Sequence, residues 1–421
     1  MTTARAPQRE PLPGNLLALL VLLGISVFLN YIDRGNLSIA APMVKNELHI
    51  SASQLGILLS AFFWTYACMQ PISGWLVDRL NVNWLMAAGF FVWSASTAAT
   101  GWVHTLAGLF AVRLVLGIGE SVAYPSYSKI IALNFHEQHR GLANSVVSAG
   151  LLLGPGVGIV LGGTLMGRFG WRPFFVGLGL LSLVWLIPWI KFMPPPPVSA
   201  PGVSNGIPTL SEFLRLRSAW GTFLGLFCGN YVNYFLITWL PFYLGRERHF
   251  SMNTMAKVGG TAYLLAAGCT IVSGWFSDLW ILSGGSPTVV RKTFTAGGLA
   301  LSGISLLLAT AGTQRICVAM VTLGVIGIGI SASNLFSITQ TLAGPTASGR
   351  WTGFQCCIGN LSGIVAPAIT GFVVQRTGHF SWAFVILAAV SMIGVLIWIF
   401  LIGPVEPVVW HTRPKVAVAA T

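Results

Sequence analysis

The chain has 421 residues, of which 54% are apolar and only 8% are charged, and its mean hydropathy is +0.77. Soluble domains carry roughly 25% charged residues, so this composition excludes an ordinary soluble protein and indicates a chain that crosses a membrane several times. The net charge of +13 does not indicate a nucleic-acid partner, because the basic residues lie at the ends of apolar runs rather than in one cluster.

Windows of about twenty residues predict an all-α membrane protein with twelve spanning helices. In chain order, the predicted spans lie near 16–40, 53–77, 83–103, 106–129, 141–166, 173–193, 218–244, 255–277, 292–311, 315–341, 351–375 and 381–403. We interpret the first span as a retained helix and not as a signal peptide, because no cleavage site of small residues follows a short apolar core.

A proline-rich stretch, "MPPPPVSAPGVSNGIPTLSEFLRLRS", separates the sixth span from the seventh, and its prolines cannot continue a helix. We predict a linker here, with a short amphipathic helix from Ser211 to Arg217. Lys and Arg are more numerous on the side of the N-terminus, so the linker and both tails are predicted to be cytoplasmic. The predicted domains are an N-terminal tail (1–15), an N-terminal six-helix bundle (16–193), the linker (194–217), a C-terminal six-helix bundle (218–403) and a C-terminal tail (404–421).

The two predicted bundles repeat each other in sequence. "SGWLVD", which ends at Asp78, recurs as "SGWFSD", which ends at Asp278, and each motif closes the second span of its half. Arg140 and Arg350 each begin a fifth span that reaches a proline at similar depth. Parallel repeats of this kind predict two bundles related by an axis along the membrane normal, with a central cavity between them.

Here the chain resembles the major facilitator superfamily. The signature G-x-L-x-D-R of that superfamily is present as Gly74, Leu76, Asp78 and Arg79, although the following "LNVNW" lacks the usual glycine and basic cluster. More narrowly, "NYIDRGNLSIAAP", "RLVLGIGESVAYPS", "GRFGWRPFF" and "GNLSGIVAPAITG" resemble the anion:cation symporter family. The resemblance extends from about residue 16 to residue 403. It implies proton-coupled import of an organic anion such as a hexonate, a hexarate or a hexuronate.

Four full charges lie inside the predicted spans, away from their ends: Asp33 and Arg34 in the first span, and Arg113 and Glu120 in the fourth. Each costs about 2.5–3.5 kcal/mol near the centre of a bilayer on insertion scales. Arg113 and Glu120 are seven residues apart, which places them on one helix face at about 10 Å along the axis. We therefore expect the four charges to pair around a water-filled cavity.

Chemistry assigns different roles to these charges. The planar guanidinium of Arg34 suits a substrate carboxylate, because it stays charged and binds in a bidentate manner. Glu120 is the leading candidate for the proton carrier, with Asp33 as a second titrating group. An anion on Arg34 would weaken the positive field at Glu120, so proton and anion would favour each other's binding. The alternative is that the charges only hold the two spans together. Arg113 is a candidate for substrate contact, and for this residue a structural or gating role is equally open.

Uncharged polar residues complete the predicted site. Tyr31 and Tyr66 offer rings and hydroxyl groups, and the amides of the second half suit a polyhydroxylated anion. The candidate amides for substrate binding are Asn230, Gln340, Gln355 and Asn360. Hydrogen bonding between helices uses the same residue types and remains open for each of them. The family resemblance favours Asn360, followed by Tyr31 and Tyr66. Asp78 and Arg79 are predicted to brace an inner gate, with topological anchoring as the alternative.

Other classes of function are disfavoured. The spans contain no histidine and no metal-ligand spacing, so we predict neither an enzyme nor a metal or cofactor site. The glycine-rich "GPGVGIVLGG" follows no strand and lacks the lysine of a nucleotide-binding loop, so helix packing explains it better. A sensor is disfavoured because it would need a large extramembrane output domain, which the sequence does not predict. A proton-driven exporter of drugs, a carrier of other small carboxylates and coupling to Na⁺ remain open. We expect a monomer in the bilayer, in a bacterial inner membrane.

Overall fold

The computed structural model describes residues 13–194 and 210–410, and this part of the chain is helical with no β-strand. Most of the predicted linker and tails lies outside the described residues. The helices are α1 (Gly14–Glu47), α2 (Ala52–Arg79), α3 (Val82–Thr100), α4 (Leu106–Ser121), α5 (Ala123–Asn134), α6 (Glu137–Phe169), α7 (Trp171–Leu183), α8 (Leu186–Phe192), α9 (Leu210–Leu214), α10 (Arg217–Thr238), α11 (Leu240–Arg246), α12 (Met252–Leu282), α13 (Pro287–Leu308), α14 (Gln314–Thr377) and α15 (Ser381–Leu396), followed by a π-helical turn, Ile397–Leu401.

Apolar length decides which helices can cross a bilayer. Eight helical stretches in the described ranges are long and apolar enough, and α10 with α11, bent by 45°, makes a ninth. The prediction of an all-helical, multi-pass membrane protein is therefore confirmed. The count of twelve stays a prediction, because α3 and α13 are outside that set and α14 covers both the tenth and the eleventh predicted span. The short helix predicted from Ser211 to Arg217 forms only α9.

A break divides α14 into two parts. Gly344 has a φ of 65°, a left-handed conformation that side chains other than glycine rarely adopt, and Pro345 follows it. A helix break leaves carbonyl groups without intrahelical donors. The segment after α15 supplies two donors, because the amide of Val408 donates to Leu342 O at 2.9 Å and Trp410 Nε1 donates to Ala343 O at 3.2 Å.

The two halves of the chain pack against each other along glycine seams. In the first half α1 packs on α6 and α2 on α4, while in the second half α10 and α13 pack on α14. Between the halves, α2 meets α14 and α6 meets α12. A Cβ atom on Gly74 would collide with the backbone of Gly349, and one on Gly141 would collide with the carbonyl oxygen of Gly274. Small residues thus allow the close helix contacts on which the two halves meet.

Gly353, on the seam between α2 and α14, gives a direct test of this packing. A Cβ atom there would lie 3.1 Å from Gly74 Cα and would strike the carbonyl oxygen of Gln70. Gly353→Leu should therefore destabilise the protein by about 1–3 kcal/mol, the usual cost of overpacking. Gly268→Leu is the control, because nothing lies within 4 Å of a Cβ atom at that position. Equal melting temperatures for the two variants would contradict the close packing of α2 on α14 at Gly353.

Candidate functional site

The centre of the site is an ion pair between α1 and α4. Arg34 Nε lies 2.7 Å from Glu120 Oε2, and the Glu120 side chain is fully buried while that of Arg34 is 15% exposed. The Arg34 guanidinium carbon also lies 4.7 Å from the ring centroid of Tyr31, 4.3 Å from Tyr66 and 5.2 Å from Phe62. An aromatic cage of this kind holds a cation by its π faces. Arg34 Nη2 has no hydrogen-bond partner in the described ranges.

Asp33 and Arg113 lie beside this pair and complete the four charges. Both side chains are buried, and each is within electrostatic reach of the other and of Glu120. Neither carboxylate oxygen of Asp33 has a hydrogen-bond partner among the residues described, and the nearby Thr97 hydroxyl lies outside hydrogen-bonding geometry. The structure thus brings together the four charges that the sequence singles out, with one carboxylate paired and one unpaired.

A cavity lies beside the aromatic cage and is lined by both halves of the chain. Its wall from the first half includes Tyr31, Tyr66 and Tyr124, with the Tyr31 and Tyr124 hydroxyl oxygens 3.5 Å apart. The remaining lining residues are Ser148, Leu151, Leu152, Leu226, Gly229, Asn230, Asn233, Ile328, Ser331, Ala332, Leu335, Phe336, Cys356 and Asn360. The cavity therefore has an aromatic wall, an amide wall and apolar flanks.

The amide wall is partly ordered by hydrogen bonds. The Tyr234 hydroxyl donates to Asn360 Oδ1 at 2.9 Å, and Asn360 Nδ2 donates to Cys356 O at 2.8 Å. Tyr234 is within electrostatic reach of Arg34 and Tyr31, so the two walls face each other across a short distance. Of the predicted substrate contacts, Tyr31, Tyr66, Asn230 and Asn360 line the cavity.

The predicted glutamines lie elsewhere. Gln340 exchanges two hydrogen bonds with Asn144, at 2.8 and 3.0 Å, and so joins α14 to α6. Gln355 accepts a hydrogen bond from Thr339 at 2.7 Å and donates to Thr222 O at 3.3 Å. Both glutamines are buried with their amides engaged in helix packing, the alternative that the sequence left open. Their contact with substrate stays a prediction.

Asp78 lies at the end of α2 and joins the two halves. The backbone amides of Gly349 and Arg350 donate to its two carboxylate oxygens at 3.0 and 2.7 Å, and Lys129 Nζ lies 3.1 Å from Oδ1. The Asp78 side chain is fully buried. Arg79, by contrast, is exposed, and its guanidinium carbon lies 4.3 Å from the ring centroid of Trp75 on the same helix. The two residues predicted to brace the gate therefore lie in different environments. Asp78 is buried and joins the two halves, whereas Arg79 is exposed and packs on its own helix.

Asp278 repeats the arrangement of Asp78 in the other half. The backbone amides of Gly141 and Leu142 donate to its two oxygens at 3.0 and 2.8 Å. The fully buried Arg291 lies 2.9 Å from Asp278 Oδ1 through Nη1 and 3.3 Å from Glu137 Oε1 through Nε. Two buried aspartates, one from each half, therefore fasten the same end of the bundle. We call this end the gate end, after the gating role that the sequence predicts for Asp78.

Replacing the two aspartates by asparagine should loosen the gate end. In Asp78→Asn and Asp278→Asn, the amide nitrogen cannot accept a hydrogen bond, so one buried backbone donor loses its acceptor at a cost of about 1–3 kcal/mol. Distances between spin labels at the gate end should lengthen between α2 and α14 in Asp78→Asn and between α6 and α12 in Asp278→Asn, and both should lengthen most in the double variant. Glu247→Gln is the control, because Glu247 accepts from Phe380 within one half. Unchanged distances in the double variant would contradict a gating role.

Several residues of the site were not predicted. Tyr124 lies four residues after Glu120, and that helical spacing is a signal for the same face. For Arg291 the signal lies in its partner, because Asp278 belongs to the repeated motif. Phe336, which lies 5.5 Å from Tyr124 between ring centroids, carries no signal that separates it from an ordinary packing residue.

Comparisons with known proteins bear on the family of this chain. The family model of the Major Facilitator Superfamily matches residues 23–367. The chain is 27% identical to the hexuronate transporter of Bacillus subtilis, over 92% of this chain and 95% of that protein. It is also 27% identical to the probable galactarate/D-glucarate transporter GudP of Escherichia coli K12, over 92% and 93%. The D-galactonate transporter of Escherichia coli O6:H1 is 27% identical, over 92% and 96%.

Solved structures show the same fold. The human organic anion transporter MFSD10 superposes with a TM-score of 0.70 at 17% identity, covering 92% of this chain and 100% of that one. The transporter FucP in its outward conformation superposes with a TM-score of 0.69 at 14% identity, covering 91% and 98%. At these identities the superpositions bear on the fold alone.

Proposed function

This chain belongs to the Major Facilitator Superfamily, and we propose that it is a proton-coupled symporter that imports an organic anion, a sugar acid, by alternating access. The observation that carries the proposal is the buried ion pair of Arg34 and Glu120 behind a cavity lined by both halves. Relatives that transport hexuronate, galactarate or galactonate support the substrate class. We further propose that it works as a monomer in a bacterial inner membrane, with both termini in the cytoplasm.

Anion binding and proton uptake are linked through Arg34. A substrate carboxylate that reaches Arg34 competes with Glu120 for the guanidinium. Because Glu120 is fully buried, losing its partner would leave an uncompensated charge, which is a costly state. Proton uptake by Glu120 removes that charge and leaves Arg34 free for the substrate. By linkage, the proton then strengthens anion binding by the same factor that the anion strengthens proton binding.

Asp33 provides a second place for a proton. Its carboxylate is buried near the Thr97 hydroxyl but, within the described residues, its oxygens make no well-formed hydrogen bond, and an ionised group in such a site is unfavourable. Arg113 stands within electrostatic reach of both Asp33 and Glu120, but among the described residues the direct ion-pair partner of Glu120 is Arg34. In this proposal a proton passes between two carboxyl groups while Arg113 keeps the net charge of the cluster low.

Alternating access uses the gate end. Asp78 and Asp278 hold this end closed through backbone amides of the opposite half. In the proposed cycle, substrate and proton load with the gate end closed. Neutralising the charge cluster then permits the two halves to rock and these hydrogen bonds to break, so that the gate end opens and substrate and proton leave.

Uptake into proteoliposomes tests the proposal. Radiolabelled D-galactonate or D-glucuronate should accumulate when the lumen is alkaline, and a protonophore should abolish the accumulation. A Na⁺ gradient alone should drive none. A cationic dye serves as the second substrate. A proton-driven exporter of drugs would move the dye in the direction opposite to the protons and would not transport the sugar acids. Dye transport without sugar-acid transport, or accumulation driven by Na⁺ alone, would contradict the proposal.

A further inference from the structure

The relatives differ in how many carboxylates their substrates carry. Hexuronate and galactonate have one carboxylate, whereas galactarate and glucarate have two. We infer, on the basis of the proposed function, that the substrate of this chain carries a single carboxylate, bound at Arg34. Its far end is neutral and hydroxylated and lies against the amides of Asn230, Asn233 and Asn360.

Among the described residues, the cavity has a nearby cation on one side only. None of its lining residues is a lysine, an arginine or a histidine. Arg34 stands directly behind Tyr31 and Tyr66, two residues that do line it. Arg113 is not a lining residue, and the charges that act on it are the carboxylates of Glu120 and Asp33. One carboxylate therefore meets Arg34, and a second one would find no counter-charge of its own.

The buried cations of the second half lie away from the cavity, and Arg350 is buried at the gate end within electrostatic reach of Asp78. Arg291 is fully buried at the gate end, between Asp278 and Glu137. Arg248 lies near the opposite end of the bundle and donates to the Tyr243 hydroxyl at 2.7 Å and to Ala309 O at 2.7 Å. A second substrate carboxylate against α10 or α14 would thus be a desolvated anion facing amides and apolar side chains, which is an unfavourable state.

The lining of the far side suits neutral groups. Amide and hydroxyl groups both donate and accept, as sugar hydroxyls do. The Tyr234 hydroxyl already donates to Asn360, which fixes the orientation of that amide, whereas the amides of Asn230 and Asn233 face the cavity beside it. Leu151, Leu152 and Phe336 flank these amides and offer contacts to C–H faces of a carbon chain. We therefore expect the amides to bind the hydroxyl groups of the substrate. The apolar side chains beside them would disfavour a second carboxylate.

Matched pairs of ligands test this inference on the purified full-length protein. Calorimetry should give D-galactonate a Kd at least about tenfold lower than that of galactarate, and likewise D-gluconate against D-glucarate. Equal or tighter binding of the dicarboxylates would overturn the inference while leaving the proposed symport of sugar acids intact. Absence of binding by all four acids and by D-glucuronate would overturn both, because it removes the substrate class itself.

A cation placed in the amide wall should change this preference. Asn230→Arg puts a guanidinium opposite Arg34, so galactarate should then bind within about threefold of D-galactonate. Ala311→Arg adds the same charge at an exposed loop position and should keep the original preference. Melting temperatures establish that both variants are folded. A folded Asn230→Arg protein that still rejects galactarate as before would overturn the placement of the far end of the substrate.

Discussion

Arg34→Ala is expected to abolish sugar-acid uptake and to weaken anion binding by about 30-fold or more, since losing one partner of a buried charge pair costs about 2–5 kcal/mol. Arg34 lies beside the cavity, because its guanidinium carbon is 4.7 Å from the ring centroid of Tyr31 and 4.3 Å from that of Tyr66, and both tyrosines line the cavity. Calorimetry with D-galactonate gives the loss of affinity, and uptake into proteoliposomes gives the loss of transport. Arg34→Lys should recover part of the binding, because it keeps the charge but not the planar, bidentate donor.

Arg34→Ala needs a control for loss of stability. Without Arg34, Glu120 is buried with an uncompensated charge, and breaking such a pair costs about 3–5 kcal/mol. Arg34→Ala combined with Glu120→Gln removes both charges and should restore the melting temperature without restoring anion binding. Arg376→Ala, which removes an exposed arginine packed on Phe372, should leave binding unchanged. Full uptake by Arg34→Ala would contradict the role of Arg34 as carboxylate ligand.

Glu120→Gln is expected to separate exchange from accumulation. The glutamine resembles a permanently protonated glutamate, so Arg34 stays available to the anion and exchange of internal for external sugar acid continues. Accumulation driven by a pH gradient should be lost, because no proton is taken up or released at this position. In the wild-type protein anion affinity should fall as pH rises, since binding takes up a proton, and in Glu120→Gln this dependence should flatten.

A second glutamine substitution supplies the comparison. Glu406 is exposed after the last helix, and Glu406→Gln should keep both accumulation and its pH dependence. If accumulation by Glu120→Gln still followed the pH gradient, Asp33 or another group would have to be the principal carrier. Loss of exchange together with accumulation would instead mean that Glu120 acts in anion binding.

The charge cluster could be found from sequence because membrane burial makes charges costly. Asp33, Arg34, Arg113 and Glu120 stand out against apolar surroundings, and the structure places all four together. The amides could not be sorted in this way. Asn360 lines the cavity while Gln340 is bonded to Asn144, yet a buried amide that binds a ligand and one that joins two helices have the same residue type. Only tertiary contacts distinguish them.

The gate end shows a second limit of sequence reasoning. The repeated aspartates Asp78 and Asp278 are visible as a motif, but each accepts hydrogen bonds from backbone amides, and a backbone amide has no residue type to recognise. The break in α14 at Gly344 is similar, because its carbonyl groups are bonded by Val408 and Trp410, more than sixty residues further along the chain. Such contacts follow from how the halves fold together and not from local pattern.

The most direct test of the proposed coupling is a count of the protons taken up when an anion binds. Purified protein in weakly buffered solution, with a pH indicator present, is mixed with saturating D-galactonate. We predict proton uptake by the wild-type protein, markedly less by Glu120→Gln, and the wild-type amount by Glu406→Gln. Anion binding without proton uptake by the wild-type protein would contradict the linkage between Arg34 and Glu120 on which the proposed symport depends.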